Sequence, residues 1–146
     1  MSKRLLKNII FILVLLFVIA AAAGYLSWNK PHINIVKAPA IEISAVTLYK
    51  LFITDSIQAK SLYVNKVLNV SGTVKTIAVN QEHQQIVLLK TSEADASVNC
   101  TMEKNTAEIK VDDQVSIKGF CVGYIGGEAA MGLRGDVFLT RCYRSA

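Results

Sequence analysis

Lys66-Val-Leu-Asn-Val-Ser-Gly-Thr-Val-Lys-Thr-Ile-Ala-Val-Asn80 carries the alternation of a half-buried β-strand. Leu68, Val70, Gly72 and Val74 share one face, with Asn69, Ser71, Thr73 and Lys75 opposite. After Lys75 the phase slips by one residue, and Ile77 and Val79 take the apolar positions. A one-residue slip inside a long strand is what a β-bulge produces, and bulges bend strands. Gly72, just upstream, is a second place where the backbone can bend or be closely approached. A long first strand bent in its middle suits a small closed barrel in which one strand serves both sheets.

The residues that follow supply the other strands. Asn80 to Gln85 is polar and turn-like, Gln85–Lys90 is a second strand and Ser97–Met102 a third. Glu103 to Asp113 reads as a connection or a short helical turn. Gln114–Tyr124 is a fourth strand with Val115, Ile117, Gly119 and Cys121 on one face, and Asp136–Tyr143 is a fifth. Between the last two lies a glycine-rich hairpin loop, Ile125 to Gly135. Upstream, Ser44 is a plausible N-cap for one amphipathic helix over 44–65. Its stripe is Ala45, Leu48, Tyr49, Phe52, Ala59 and Tyr63, broadened by Val46, Ile53 and Ile57. The expected fold is therefore mainly β within an α+β order: a five-stranded Greek-key barrel of the oligonucleotide/oligosaccharide-binding (OB) type preceded by one helix.

The amino-terminal end has a different composition. Ile9 to Trp28 is 20 positions without a charged side chain, and the first 15 are all apolar. At about 1.5 Å per residue this spans a hydrocarbon core of roughly 30 Å. Lys3, Arg4 and Lys7 precede it, which places residues 1–8 in the cytoplasm by the positive-inside rule. Ala20-Ala21-Ala22-Ala23-Gly24 also offers small residues for signal-peptide cleavage, so an anchored domain and a secreted one are both open, and either way residues 40–146 cross the membrane. Asn29 to Pro39, with prolines near both ends and no helical period, is the linker, and His32 within it has no neighbouring ligand.

Residues 40–146 are enough for one modest core. The formal charge of +5 is unevenly spread. Three of the 16 basic residues precede the apolar run and all 11 acidic ones follow it, which leaves +2 on the exported part. A near-neutral domain has no electrostatic footprint for polyanions. Cys100, Cys121 and Cys142 all fall in that part, so one disulfide with one thiol left over is expected, with three pairings open.

Ala59-Lys-Ser-Leu-Tyr63-Val-Asn-Lys66-Val-Leu68-Asn-Val70-Ser-Gly72-Thr-Val74 resembles the opening signature of the tRNA anticodon-binding-like OB family, A-x-x-x-Y-x-x-K-x-L-x-V-x-G-x-V. Val98-Asn-Cys100, the run Val115 to Gly123, and Val137-Phe-Leu139-Thr-Arg-Cys142 continue the resemblance, which covers roughly residues 44–143. Met102 stands where that family more often has an aromatic residue. The resemblance implies a bacterial envelope protein with a short membrane segment, a helix and a barrel, and it implies no catalytic residues.

Nothing in the residues themselves points to catalysis. His83, in a polar turn, has no nucleophile or orienting partner nearby, and no G-x-S-x-G occurs. Gly123 to Gly135 lacks the Gly-Lys-Ser/Thr ending of a phosphate loop, and Glu128 and Asp136 form no acid/base pair. The expectation is no enzyme, no cofactor and no metal. The second and third strands carry no Phe, Tyr or Trp, which argues against the stacking platform of a single-strand binder. Phe120 and Tyr124, opposite Cys121, are the stacking candidates, and packing on the helix explains them equally well. The expected function is a membrane-tethered interaction module of the bacterial inner membrane, its domain on the periplasmic side, binding an envelope protein, peptide or glycan. Its contact residues would be Gly126, Gly127, Met131, Leu133 and Arg134 of the hairpin loop, with Phe120 and Tyr124; single-stranded nucleic acid or tRNA is the alternative ligand.

Overall fold

Unbroken apolar side chains leave a helix no polar face to turn to water, and the segment that has them forms one long helix, α1 (Lys3–Trp28), with every residue exposed. It is long and apolar enough to cross a membrane. The computed structural model describes residues 3–28, 33–127 and 131–145, and the chain divides into two compact units, residues 1–33 and 34–146. His32 and Glu128, considered above, lie outside the described residues.

The second unit contains β1 (Ile41–Ser44), α2 (Ala45–Thr54), α3 (Ser56–Tyr63), β2 (Val67–Val79), β3 (Gln85–Lys90), β4 (Ser97–Met102), β5 (Gln114–Ile125) and β6 (Asp136–Ser145). Five of these strands close a barrel. β2 pairs with β3, β3 with β4, β4 with β6, β6 with β5, and β5 returns to β2. Every pairing in the ring is antiparallel except β4–β6, which is parallel. This is the OB architecture.

β2 serves both halves of the barrel. Val67 to Thr73 pair with β5, and from Val74 onward the strand pairs with β3. The register breaks between Val74 and Thr76, so Lys75 is the bulge residue that the phase slip marks in the sequence. Gly72 keeps its register opposite Val115 and stands at the start of the crossover. Its role is close approach: a Cβ built there would lie 3.0 Å from the Cβ of Ala45 on α2. Beyond the bulge, Ile77 packs on the core, whereas Val79 is exposed.

Three parts of the architecture differ from the expectation. The single helix is two. Asp55 leaves helical geometry, gives its N–H to Leu51 O at 3.0 Å, and caps α3 by accepting the Gln58 N–H at 3.0 Å. Capping residues compete with the helix for backbone partners, which is why the chain turns there. Ala45, Leu48, Tyr49, Phe52 and Ala59 are buried, but Val46, Ile53 and Ile57 face outward. Second, a short strand, β1, pairs parallel to β2 at Ile41–Leu68 through Ser44–Ser71, and Ser44 then caps α2 by accepting the Thr47 N–H. Third, the chain read as a linker joins the domain from Asn34: Asn34 O accepts the N–H groups of Lys37 and Ala38, and Ile35 is 1% exposed.

The expected disulfide is absent. Cys100, Cys121 and Cys142 are free thiols buried in the barrel core on β4, β5 and β6. They serve as small apolar side chains. Gly119 makes room for one of them, since a Cβ there would fall 2.4 Å from Cys142 Sγ. Burial pushes the Cys121 thiol up to about 11, and a thiol hydrogen bond with Cys100 together with burial holds Cys142 well above the usual range. Thiolate is the form that oxidises, and both groups are held away from it.

Candidate functional site

The loop joining β5 to β6 is closed at its neck by glycine. A Cβ at Gly127 would lie 2.2 Å from Leu133 O, and one at Gly135 would lie 2.2 Å from Ile125 O, so both limbs pass closer than side chains allow. Tyr124 accepts the Gly135 N–H at 3.2 Å through its hydroxyl. Arg134 ties the loop sideways to the β3–β4 connection, with ion pairs to Glu93 at 2.9 Å and Asp95 at 3.6 Å. At the foot of β6, Asp136 accepts from Ser97 N–H at 2.7 Å and from the Asn99 amide at 2.8 Å. This carboxylate, for which the sequence indicates no acid/base partner, thus joins β6 to β4 through hydrogen bonds.

The apolar side chains at this neck and on the loop stay in water. Ile125 is 58%, Met131 70% and Leu133 60% exposed. Of the seven contact residues expected from sequence, the structure gathers Gly126, Gly127, Met131, Leu133 and Arg134 on this one loop. Arg134 is engaged by two carboxylates. Ile125, two residues from Gly127, adds to the apolar set and was not among the residues singled out from sequence.

Tyr124 and Phe120 are placed differently. A strict alternation puts Tyr124 opposite Cys121, but the β5–β6 register shifts between Cys121 and Gly123, where Gly123 has φ +132°. The extra residue turns Tyr124 toward the helices. Its ring stacks on Phe52 at 6.4 Å and meets Tyr49 edge-on at 6.2 Å. Tyr49, 1% exposed, has its hydroxyl held above the usual range, first by burial and then by Tyr124, with Arg134 opposing. Phe120 lies further down β5, opposite Val67 and Thr140, partly exposed on the outer face.

The outer face of β3 and β4, the second and third strands of the ring, is where an OB barrel offers its strands to a ligand, and β6 borders it beside β4. Ile86, Leu88, Asn99, Thr101 and Phe138 are partly exposed there, with Leu88 and Phe138 both registered opposite Asn99. Phe138 is an aromatic residue that sequence reading passed over, although the alternation of Val137 and Leu139 already turns it outward. The cations nearby are committed. Lys90 pairs with Asp112 at 2.5 Å, and Lys75 donates to Ala94 O at 2.6 Å and Ser97 Oγ at 3.3 Å. These two lysines line a cleft of about 220 Å³ with Thr91, Glu93 and Ala94. Among the described residues no three His, Cys, Asp or Glu side chains converge as metal ligands. His83 sits exposed in the β2–β3 turn at φ +62°.

The barrel, its strand order and the pinned β5–β6 loop define an OB-fold protein. A family model described as tRNA_anti-like matches residues 1–133, and the chain belongs to that family. No curated protein matches it. Among solved structures, one assigned as an aspartyl-tRNA synthetase from Leishmania major Friedlin is similar at a TM-score of 0.40 and 8% identity, over 85% of this chain and 25% of that chain. The chain thus spans about a quarter of that protein's length.

Proposed function

We propose that this protein is a membrane-tethered, non-catalytic OB-fold interaction module of the bacterial cell envelope that binds a protein, peptide or glycan through its β5–β6 loop. The observation that carries this reading is the exposure of Ile125, Met131 and Leu133 around a neck fixed by two glycines, one tyrosine hydroxyl and two ion pairs. Apolar side chains held in water beside a fixed neck lose little conformational freedom when a partner covers them. Helix α1 supports the tether, and Lys3, Arg4 and Lys7 favour a cytoplasmic amino terminus in the inner membrane. Replacing Gly126–Arg134 with an Asn-Gly turn should abolish cross-links to the partner while circular dichroism stays unchanged. Unaltered cross-links would move the binding surface elsewhere.

A second reading has its own observation. Phe138 on β6, with Leu88 and Ile86 across β4 from it, offers an aromatic platform bordering the strands that OB folds use for single-stranded nucleic acid. Binding of a labelled oligonucleotide that weakens steeply with salt and is lost in Phe138→Ala would favour it over the loop.

A further inference from the structure

Ile35 and Val67 are buried apolar residues that stand outside the continuous barrel core. Val67 opens β2 on the strand's outer side, opposite Phe120, and the next outer pair is Asn69 with Lys118. The segment carrying Ile35 is tied to that face by a hydrogen bond from Lys118 Nζ to Val36 O at 3.0 Å. Its own structure is a single turn, closed by Asn34 O. Beneath it, Asn69 gives its amide N–H to Glu42 at 3.0 Å, while its Oδ1 is buried with no donor. A buried acceptor without a donor is costly, and a neighbouring cation is the best donor it could have.

Lys118 is that cation. Asn69 and Lys118 are direct cross-strand partners, so the ammonium can reach either Asn69 Oδ1 or Val36 O. In the docked arrangement it serves Val36 and leaves Asn69 unsatisfied. Burial of Ile35 favours docking, and the orphaned amide oxygen opposes it. We propose that residues 34–38 form a detachable strap, docked by Ile35 and Lys118, whose release hands the Lys118 ammonium to Asn69. Release leaves the barrel and β1 in place and frees residues 34–40. The connection between α1 and the domain then gains seven residues, up to about 25 Å of contour at roughly 3.3–3.6 Å each. On the tethered reading proposed above, this added length lies between α1 and the binding module.

Hydrogen exchange of the full chain in detergent micelles tests this, with the Lys37 and Ala38 amides reporting on the strap and those of Leu68 to Val70 on the barrel. The strap amides should exchange at least tenfold faster than the barrel amides. Ile35→Ala and Lys118→Met should each speed them by a further tenfold or so without moving the barrel amides. Asn69→Val, which removes the competing acceptor, should slow them several-fold; a residue that merely supports structure would give no slowing. Strap amides that exchange together with the barrel overturn the proposal, as does an Asn69→Val variant whose strap is unchanged or faster. If one variant does not fold, the other two decide.

Discussion

At the scale of single residues, the barrel core is set by a close fit between a glycine and a thiol. Gly119 and Cys142 occupy neighbouring inward positions on β5 and β6, and a methyl on the first overlaps the sulfur of the second. Gly119→Ala should therefore destabilise the domain by roughly 1–3 kcal/mol through overpacking. Gly119→Ala combined with Cys142→Ala should recover much of that loss, since the added methyl fills the vacated sulfur site. Urea unfolding of the two variants checks this, and equal or greater instability of the double variant would contradict it. Cys121 adds a pH dependence. Its pKa is raised from 9.0 to about 11 in the folded protein, so its contribution is whole below pH 9 and is lost as pH rises through 9–11. The stability difference between the native chain and Cys121→Ala should shrink over that window, as read by thermal melts at stepped pH. Cys121 was visible in the sequence as an inward residue, because alternation shows direction. The thiol's neighbours were not, because they come from other strands.

At the scale of elements, regular alternation made the strands legible and irregularity hid the rest. The bounds of β3 follow from a short apolar run between polar ends and those of β4 from period two, and the bulge at Lys75 follows from its phase slip. β1 was hidden because four residues make no period and their partner lies on a strand 27 positions away. The break at Asp55 had a local signal, a capping residue within a helical stripe. The turning of Tyr124 also had one, Gly123, but which residue a bulge displaces depends on the partner strand. As a result the five loop residues of the expected contact set lie together on one loop, as their sequence order requires, and its two aromatics are divided between the helices and the mid-strand. The join of α2 to β2 gives a prediction at this scale. Gly72→Val would push the branched side chain against Ala45, at a site where even a Cβ has 3.0 Å, and should cost roughly 1–3 kcal/mol. An unchanged melting temperature would show that α2 can shift at no cost.

At the scale of the whole molecule, the domain is a closed ring of strands capped by α2 and α3, in a chain that also carries a helix able to cross a membrane. The apolar amino terminus and the family signature made this organisation readable, since neither depends on distant contacts. Ring closure has a temporal side. The parallel β4–β6 pairing and the β5–β6 pairing both use Asp136–Ser145, the last of the ring's five strands in chain order. Until it appears, β4 and β5 each show a bare edge and the core has no lid on that side. Such long sequence separations make folding slow. The ring therefore cannot close before β6 has been made, and for that interval the nascent chain depends on whatever shields its open edges.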